Sequence, residues 1–384
     1  KVGGTAYMDI KAYRKREFEQ REARLKNAEF QKLEKTNKIK ENLDIVYVMT
    51  WTGLCGGSKI ILEHSNYLVK RGHKVTIISH YPKPDWFKMD ERIIFIQVPW
   101  DEILCEAIHT CDIIVATYWR EIYECIEQNK APVIYFEQGD VHLFDLQKLD
   151  ERTLNYIKKE FEVAPFIYTV SSYAKEKIKE IYKKDAYVIP NAVDDTYFYQ
   201  TKKSKEADDE KKGFTIAIVG SQNSEFKGIE KILDAVKKIR NEGYNINLNW
   251  ITPDEPKNSN ERFFKNVTQK QIGEILRSSD VYVCASKYES FGLPILEAMK
   301  CGLPIITTDT GGNRDFVEDN ENALITVGTV EDIKEKIEIL IKDDKLRKKL
   351  SKNSKLTSEK YTWNNVIDKL EKYYKEIAKY EVIK

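Results

Sequence analysis

Two doubly wound α/β domains, each a parallel sheet covered by helices, are what this sequence predicts. Three observations carry the prediction. Short apolar runs of strand length recur with helix-length segments between them, which is the rhythm of a parallel sheet. The rhythm stops once, in a polar stretch from Gln200 to Lys212 whose one apolar residue is Ala207, and then resumes. The chain has 384 residues, too many for one small core, so two domains are the default.

Taken in order, residues 8–41 predict one long, highly charged helix with Tyr13, Phe18, Leu25, Phe30 and Leu33 as sparse apolar positions. Such a helix either packs one edge on the body or offers a basic contact to a membrane surface or a second copy. The alternation starts at Asp44-Ile45-Val46-Tyr47-Val48-Met49, a buried strand leading into a glycine loop and a helix near 57–71. Gly72-His73-Lys74 turns into the strand Val75–Ile78, and further strands are expected at 93–98, 112–116, 132–136, 166–170 and 186–189. Beyond the linker come strand 214–219, helix 228–242, strand 245–251, helix 269–277, strand 280–284, helix 294–301 and strands 304–307 and 323–327. Helices at 329–341, 343–356 and 363–380 close the chain. The plan is a helical extension (1–41), a Rossmann-like domain (42–199) joined by the last helix (364–384), a linker (200–212) and a second Rossmann-like domain (213–363). Ligands of such sheets sit outside the carboxyl ends of the strands, so the two domains are expected to face a central cleft.

Composition excludes several classes. The chain is 41% hydrophobic and 33% charged with a formal charge of +1, which gives no global reason to bind nucleic acid. Residues 11–40 hold eleven Lys/Arg against five Glu, a net of +6, so the remainder carries −5. The six cysteines show no CxxC spacing and several lie in apolar runs, as buried reduced thiols of a cytosolic protein do. No apolar run approaches the ~20 residues of a membrane span, and no signal peptide is visible.

The richest segment is Glu289-Ser290-Phe291-Gly292-Leu293-Pro294-Ile295-Leu296-Glu297. Pro294 suits the first turn of a helix. The N–H groups of Phe291, Gly292 and Leu293 are then free to face an anion. One carboxylate lies beside that cradle and another one to two turns into the helix, an arrangement that can hold a sugar diphosphate by its phosphates and its hydroxyls. Two more strand-to-helix loops share the logic. Thr50 to Ser58 contains Gly56-Gly57, where backbone can approach a ligand closely, or simply turn. Gly220 to Gly228 ends in Lys227-Gly228, and a lysine at a helix start sits badly with the dipole unless an anion lies there. Thr307 to Asp315 is a third crossing rich in small residues. Neither a P-loop nor a GxGxxG fingerprint occurs.

Along the chain, Ser171 in Val-Ser-Ser-Tyr-Ala-Lys, Ile189-Pro190-Asn191-Ala192-Val193-Asp194 followed by Phe198, Lys227-Gly228, the Glu-x7-Glu of 289–297, Gly311-Gly312 and Tyr361-Thr362-Trp363 resemble a family. They are similar to the motifs of retaining GT-B glycosyltransferases of the GT4-type group, the glycosyl transferases group 1. The resemblance spans about 43–380 and is densest over 286–325. It implies that Glu297 binds the ribose hydroxyls of a nucleotide and Glu289 the hydroxyls of the donor sugar. Lys227, Gly56, Gly57 and the N–H groups of Phe291, Gly292 and Leu293 would bind the diphosphate. Asn191, Ser221, Thr252 and Val267 complete the implied donor contacts. Two departures stand out. Ser221 occupies the place of a family arginine, leaving Arg314 as a candidate second cation. The family often has a His near the end of an N-domain strand, whereas this strand ends Glu137-Gln138-Gly139-Asp140 with His142 just beyond. Glu137, Gln138, His142 and Arg314 are the acceptor-side candidates, and Asp140 is a candidate base.

The resemblance implies no metal and no cofactor, with a nucleotide-diphosphate sugar as co-substrate and a glycan or lipid-linked acceptor. It places the protein in the cytoplasm or at the inner face of the membrane. Three readings stay open beside transfer: a sugar-nucleotide epimerase of the same fold, a phosphorylase with pyridoxal phosphate on a lysine, and a degenerate nucleotide-sugar-binding or scaffolding subunit.

Overall fold

A computed structural model of the chain describes residues 9–201, 213–257 and 259–383. Most of the expected linker, from 202 to 212, lies outside them, as do residues 1–8 of the expected extension. The chain divides into two compact units, one of Lys1–Val170, Lys175–Ile189 and Ile367–Lys384, the other of Ser171–Ala174 and Pro190–Val366.

In chain order, the elements up to residue 188 are α1 (Ile10–Leu25), β1 (Leu33–Lys35), β2 (Asp44–Val48), α2 (Gly56–Lys70), β3 (Lys74–Ser79), β4 (Ile94–Gln97) and β5 (Ile113–Ala116). There follow α3 (Ile122–Glu127), β6 (Val133–Glu137), α4 (Val141–Phe144), α5 (Glu151–Val163), β7 (Phe166–Thr169), α6 (Ser172–Tyr182) and β8 (Tyr187–Val188). The first unit is built on a parallel sheet in the order β4-β3-β2-β5-β6-β7-β8. Its middle strands are apolar on both faces: Ile45, Val46, Tyr47, Val48, Ile113, Ile114 and Val115 are all fully buried. That is what a strand covered by helices on either side requires. The chain winds from β2 outward to β4, then returns and winds the other way from β5. The order therefore reverses between β2 and β5, and the loops leaving those two strands flank the switch point where such sheets bind ligands.

The expected helix over 8–41 is half that length. α1 is capped by the Asp9 carboxylate, which accepts from the N–H groups of Lys11 and Ala12, and it ends at Leu25. Beyond it the chain runs extended. The Gln31 amide donates to the Ala131 carbonyl (2.8 Å) and accepts from the Val133 N–H (3.0 Å). β1 then pairs antiparallel with β15 (Tyr380–Val382). The last helix, expected to reach 380, ends at Ile377 to let that strand form. α1 also spends much of its charge internally. Buried Arg21 bonds Glu124 through Nε (2.8 Å) and Nη2 (3.2 Å) and lies 3.6 Å from Glu121, while Arg24 bonds Glu124 and Glu127. Glu22 takes Arg152.

The second unit carries β9 (Phe214–Val219), α7 (Ile229–Asn241), β10 (Ile246–Ile251), β11 (Phe263–Phe264), α8 (Gln269–Arg277), β12 (Val281–Cys284), α9 (Leu293–Lys300), β13 (Ile305–Thr308) and β14 (Leu324–Thr326). α10 (Val330–Lys342) and α11 (Asp344–Ser358) follow, and the last helix, α12 (Trp363–Ile377), belongs to the first unit from Ile367 on. The sheet is parallel, in the order β11-β10-β9-β12-β13-β14. Ile216, Ile218, Trp250, Val281 and Ile306 pack its core with Val236, Ile239 and Ile333 from the covering helices. Here the winding reverses between β9 and β12. The loops leaving those two strands are Gly220–Gly228 and Ala285–Gly292, the two segments that the sequence singled out. No helix among the described residues is long and apolar enough to cross a membrane.

Candidate functional site

In the second unit, the loop after β9 turns on Gly220, whose carbonyl accepts from Trp250 Nε1 (2.8 Å). It ends at Gly228 in the left-handed region (φ 64°), where an added Cβ would stand 2.3 Å from the Ala285 carbonyl oxygen. Only glycine permits both the backbone and the close approach. Gly228→Ala is therefore expected to cost roughly 2 kcal/mol or more, read as a fall of several degrees in the unfolding midpoint. An unchanged midpoint would show the contact to be dispensable.

That junction fixes Lys227 opposite Glu289. The Lys227 ammonium donates to Glu289 Oε1 at 2.6 Å, and the Ser286 hydroxyl donates to the same oxygen at 2.7 Å. The Lys287 N–H reaches the Phe226 carbonyl (2.7 Å), stitching the two switch-point loops together. The Glu289 backbone is held from the other side: its N–H donates to the Thr310 carbonyl (3.0 Å), and its carbonyl accepts from Gly312 (3.1 Å). A Cβ on Gly312 would lie 2.4 Å from that carbonyl oxygen. The charged pair is largely sheltered, with side chains 22% and 17% exposed, and Oε2 of Glu289 takes no hydrogen bond among the described residues.

α9 is capped at Gly292 (φ 94°), with Pro294 in its first turn. The N–H groups of Phe291, Gly292 and Leu293 make no hydrogen bond among the described residues, as the first donors of a helix do when they are left for water or a ligand. Glu297, one turn in, is buried. Asn191 is buried too, and its Oδ1 has no hydrogen-bond partner among the described residues. The Thr252 hydroxyl is spent on the Asp254 carbonyl (3.1 Å), and Val267 is half-buried.

At the position of the family arginine, the Ser221 hydroxyl donates to the Asp254 carboxylate, and the Asn223 amide reaches the same carboxylate at 3.4 Å. This corner is anionic rather than cationic. Arg314 is not drawn into it. Its guanidinium forks onto Asp309 (2.9 and 3.0 Å) and lies over the Tyr173 ring. The pair is about half exposed.

In the first unit, α2 starts at Gly56 with Cys55 as its cap. The Gln138 amide donates to the Gly57 carbonyl (3.1 Å), and a Cβ on Gly57 would lie 3.3 Å from that amide. Asp140 is exposed at the start of α4 and accepts from the Tyr118 hydroxyl (3.3 Å). Two acceptor-side candidates are enclosed by the fold. Glu137 and His142 are each 1% exposed. They bond each other (2.7 Å), and Glu137 also accepts from the Gly139 N–H (2.6 Å) and from Tyr135. Burial alone would push the Glu137 carboxyl up, but the His142 imidazole, the Tyr135 hydroxyl and the Gly139 N–H together hold it below its ordinary range. Both residues brace the loop that displays Gln138 and Asp140. Ser286, which shares Glu289 with Lys227, carried no signal in the sequence. Nor did Thr50, whose hydroxyl bonds buried Glu121 at 2.6 Å.

Residues 254–357 match the sequence model of the glycosyl transferases group 1 family. That stretch contains Glu289, the open helix start and Glu297. The chain is 31% identical over 224 residues to an uncharacterized glycosyltransferase, MJ1178, of Methanocaldococcus jannaschii, covering 55% of this chain and 60% of the relative. It thus spans less than two thirds of that relative's length. Among solved structures, a sucrose-phosphate synthase from Thermosynechococcus elongatus superposes with a TM-score of 0.73 at 18% identity, over 87% of this chain and 99% of the other. Anabaena Alr3699/HepE in complex with UDP-glucose superposes at 0.69 and 15% identity, over 86% and 99%. The fold is GT-B, two Rossmann-like units, as the group 1 motifs implied.

Proposed function

We propose that the chain is a retaining, metal-independent glycosyltransferase. In this reading it moves a sugar from a nucleotide-diphosphate sugar to a hydroxyl of a glycan or lipid-linked acceptor. The observation that carries the reading is the Lys227–Glu289 pair at 2.6 Å beside three unengaged N–H groups. Transfer breaks the bond between the anomeric carbon and the diphosphate oxygen, and the electron pair leaves with that oxygen. Charge therefore develops on the diphosphate, where preorganised N–H donors and a fixed cation act most strongly. Lys227 and the Phe291–Leu293 amides supply both. Glu289 keeps Oε2 for a donor-sugar hydroxyl while its other oxygen holds Lys227 in place. Glu297 takes the ribose, and Asn191 Oδ1 offers a further acceptor. The acceptor oxygen attacks the face that the diphosphate leaves, and its proton passes to the departing phosphate oxygen. No protein nucleophile is needed, and Asp140 stands as an assisting base.

The anionic Ser221–Asp254 corner favours a second reading, a subunit that binds a sugar nucleotide without turning it over. One experiment separates these readings from no binding at all. In a thermal-shift panel of UDP, dTDP, GDP, ADP and their common sugar conjugates, a ligand at 100 times its dissociation constant adds about 2.7 kcal/mol to the native state. One diphosphate should raise the unfolding temperature of the native chain by several degrees but not that of Glu297→Ala. UDP is the first to try, because a relative of the same fold is solved with UDP-glucose. No shift with any of them sinks both readings. A shift without sugar release in the presence of acceptors leaves the binding subunit.

A further inference from the structure

Ser286 stands two residues beyond β12 and is buried. A buried hydroxyl needs partners, and this one has two with fixed roles. It donates to Glu289 Oε1 at 2.7 Å, and its oxygen accepts from the Cys284 thiol at 3.4 Å. Burial pushes the Cys284 thiol up, and the Glu289 carboxylate adds to the shift, so the sulfur keeps its proton and stays a donor. The serine hydrogen is then left for the carboxylate, which only accepts. The backbone is pinned on both sides of the residue. The Ser286 carbonyl accepts from the Thr308 hydroxyl of β13 (2.6 Å), and the N–H of Lys287 reaches the Phe226 carbonyl (2.7 Å).

Lys227 alone does not orient Glu289. An ammonium is a point charge on a flexible four-carbon stem. The last torsion of a glutamate is broad, so either carboxylate oxygen can turn to that charge. In transfer, Lys227 also meets a growing charge on the diphosphate, and its hold on Glu289 slackens as that charge grows. Ser286 supplies a second donor, carried on a rigid backbone. With Lys227 at 2.6 Å and Ser286 at 2.7 Å both on Oε1, the carboxylate is left to present Oε2, which takes no hydrogen bond among the described residues.

We propose that Ser286 is a positioning residue, which fixes the Glu289 carboxylate so that Oε2 faces a hydroxyl of the donor sugar. The catalytic half of the proposal rests on the transferase reading above, and the orientation of the carboxylate does not. Ser286→Thr and Ser286→Val have nearly the same volume and differ in the hydroxyl, so a packing cost at this buried position is common to both. Turnover, kcat, should fall between about tenfold and a hundredfold from the threonine to the valine variant, the scale of one hydrogen bond to a charged group. The donor KM should change less, and UDP and the other bare diphosphates should bind the two variants alike. Ser286→Ala, measured against the native chain, repeats the comparison without adding volume. Crystal structures should show one orientation of the Glu289 carboxylate in the native chain and the threonine variant. In the valine and alanine variants it should be turned, or split between two orientations. Equal kcat with and without the hydroxyl overturns the proposal, as does an unchanged carboxylate in the variants that lack it. So does a loss of diphosphate binding that matches the fall in kcat, which would mark a merely structural role. A native chain that consumes no nucleotide sugar defeats the transferase reading alone, and the crystal structures then decide the orientation by themselves.

Discussion

Lys227→Ala is expected to slow sugar transfer by two to three orders of magnitude, the loss seen when one preorganised donor to a developing oxyanion is removed. Lys227 sits between a left-handed Gly228 and the Phe226 carbonyl that Lys287 fixes, so the backbone that carries it stays put when the ammonium is lost. Its stabilising worth is small by comparison. Exposed pairs contribute about 0–1 kcal/mol; this pair is more sheltered, but Glu289 keeps Ser286 as a donor when the ammonium is lost. The unfolding temperature should therefore barely move while turnover collapses. The fall should appear in kcat more than in the donor KM, because the charge that Lys227 meets grows as the bond breaks. Near-native turnover in the alanine variant would remove Lys227 from leaving-group stabilisation.

The second large effect is on stability. Arg21→Met should destabilise the first unit by about 3–5 kcal/mol, the cost of stranding a buried charge. Arg21 neutralises two carboxylates that are 4% and 2% exposed, Glu124 and Glu121. Arg21→Lys should recover only part of the loss, because an ammonium cannot fork onto Glu124 and also face Glu121. The pH dependence carries a signature. Burial alone would raise the Glu124 carboxyl, but the charge and hydrogen bonds of Arg21, aided by Arg24, hold it at about 2 against an ordinary 4.5. With the folded value depressed, its stabilisation is complete above about pH 4.5 and drains away as the pH falls toward about 2. Glu121 runs the other way. Burial lifts its carboxyl above the ordinary range despite Arg21 and Thr50, so its contribution is present at low pH and is lost as the pH rises. Urea unfolding of the native and Arg21→Met chains from pH 3 to 7 checks both signs. The native chain should lose more stability toward low pH than the variant does. Equal midpoints, or parallel acid limbs, would show that the Arg21 cluster does not hold α1 in place.

Much of the candidate site is legible in one dimension because its parts are local. Glu289, Gly292, Pro294 and Glu297 lie within nine residues, and helix-start chemistry alone says which N–H groups are left over. Lys227-Gly228 is a strand-to-helix junction of the same kind. All strands of the two sheets except β11, two residues long, were equally plain, since a strand buried on two faces must be apolar at every position, as Ile45 to Val48 are. Where the sequence misled, the deciding contact was remote. The cations of 11–40 look solvated until Glu121, Glu124 and Glu127 are brought beside them about a hundred residues later. β1 and β15 are three residues each and pair across nearly the whole chain. Glu137 and His142 are candidates because the family often has a His near the end of an N-domain strand, and only the fold shows that they bury each other.

By itself the sequence determined two α/β units, all their sheet strands but β11, and the helix start that can face an anion. All of these follow from periodicity and capping within a few residues. The tertiary structure alone decided that Lys227 meets Glu289 across 62 positions and that Ser221 meets Asp254 in place of a cation. It also decided that Ser286 shares one Glu289 oxygen with Lys227. Those outcomes depend on where each sheet reverses its winding and on which side chains burial forces to find partners, and neither is encoded in any single stretch of chain.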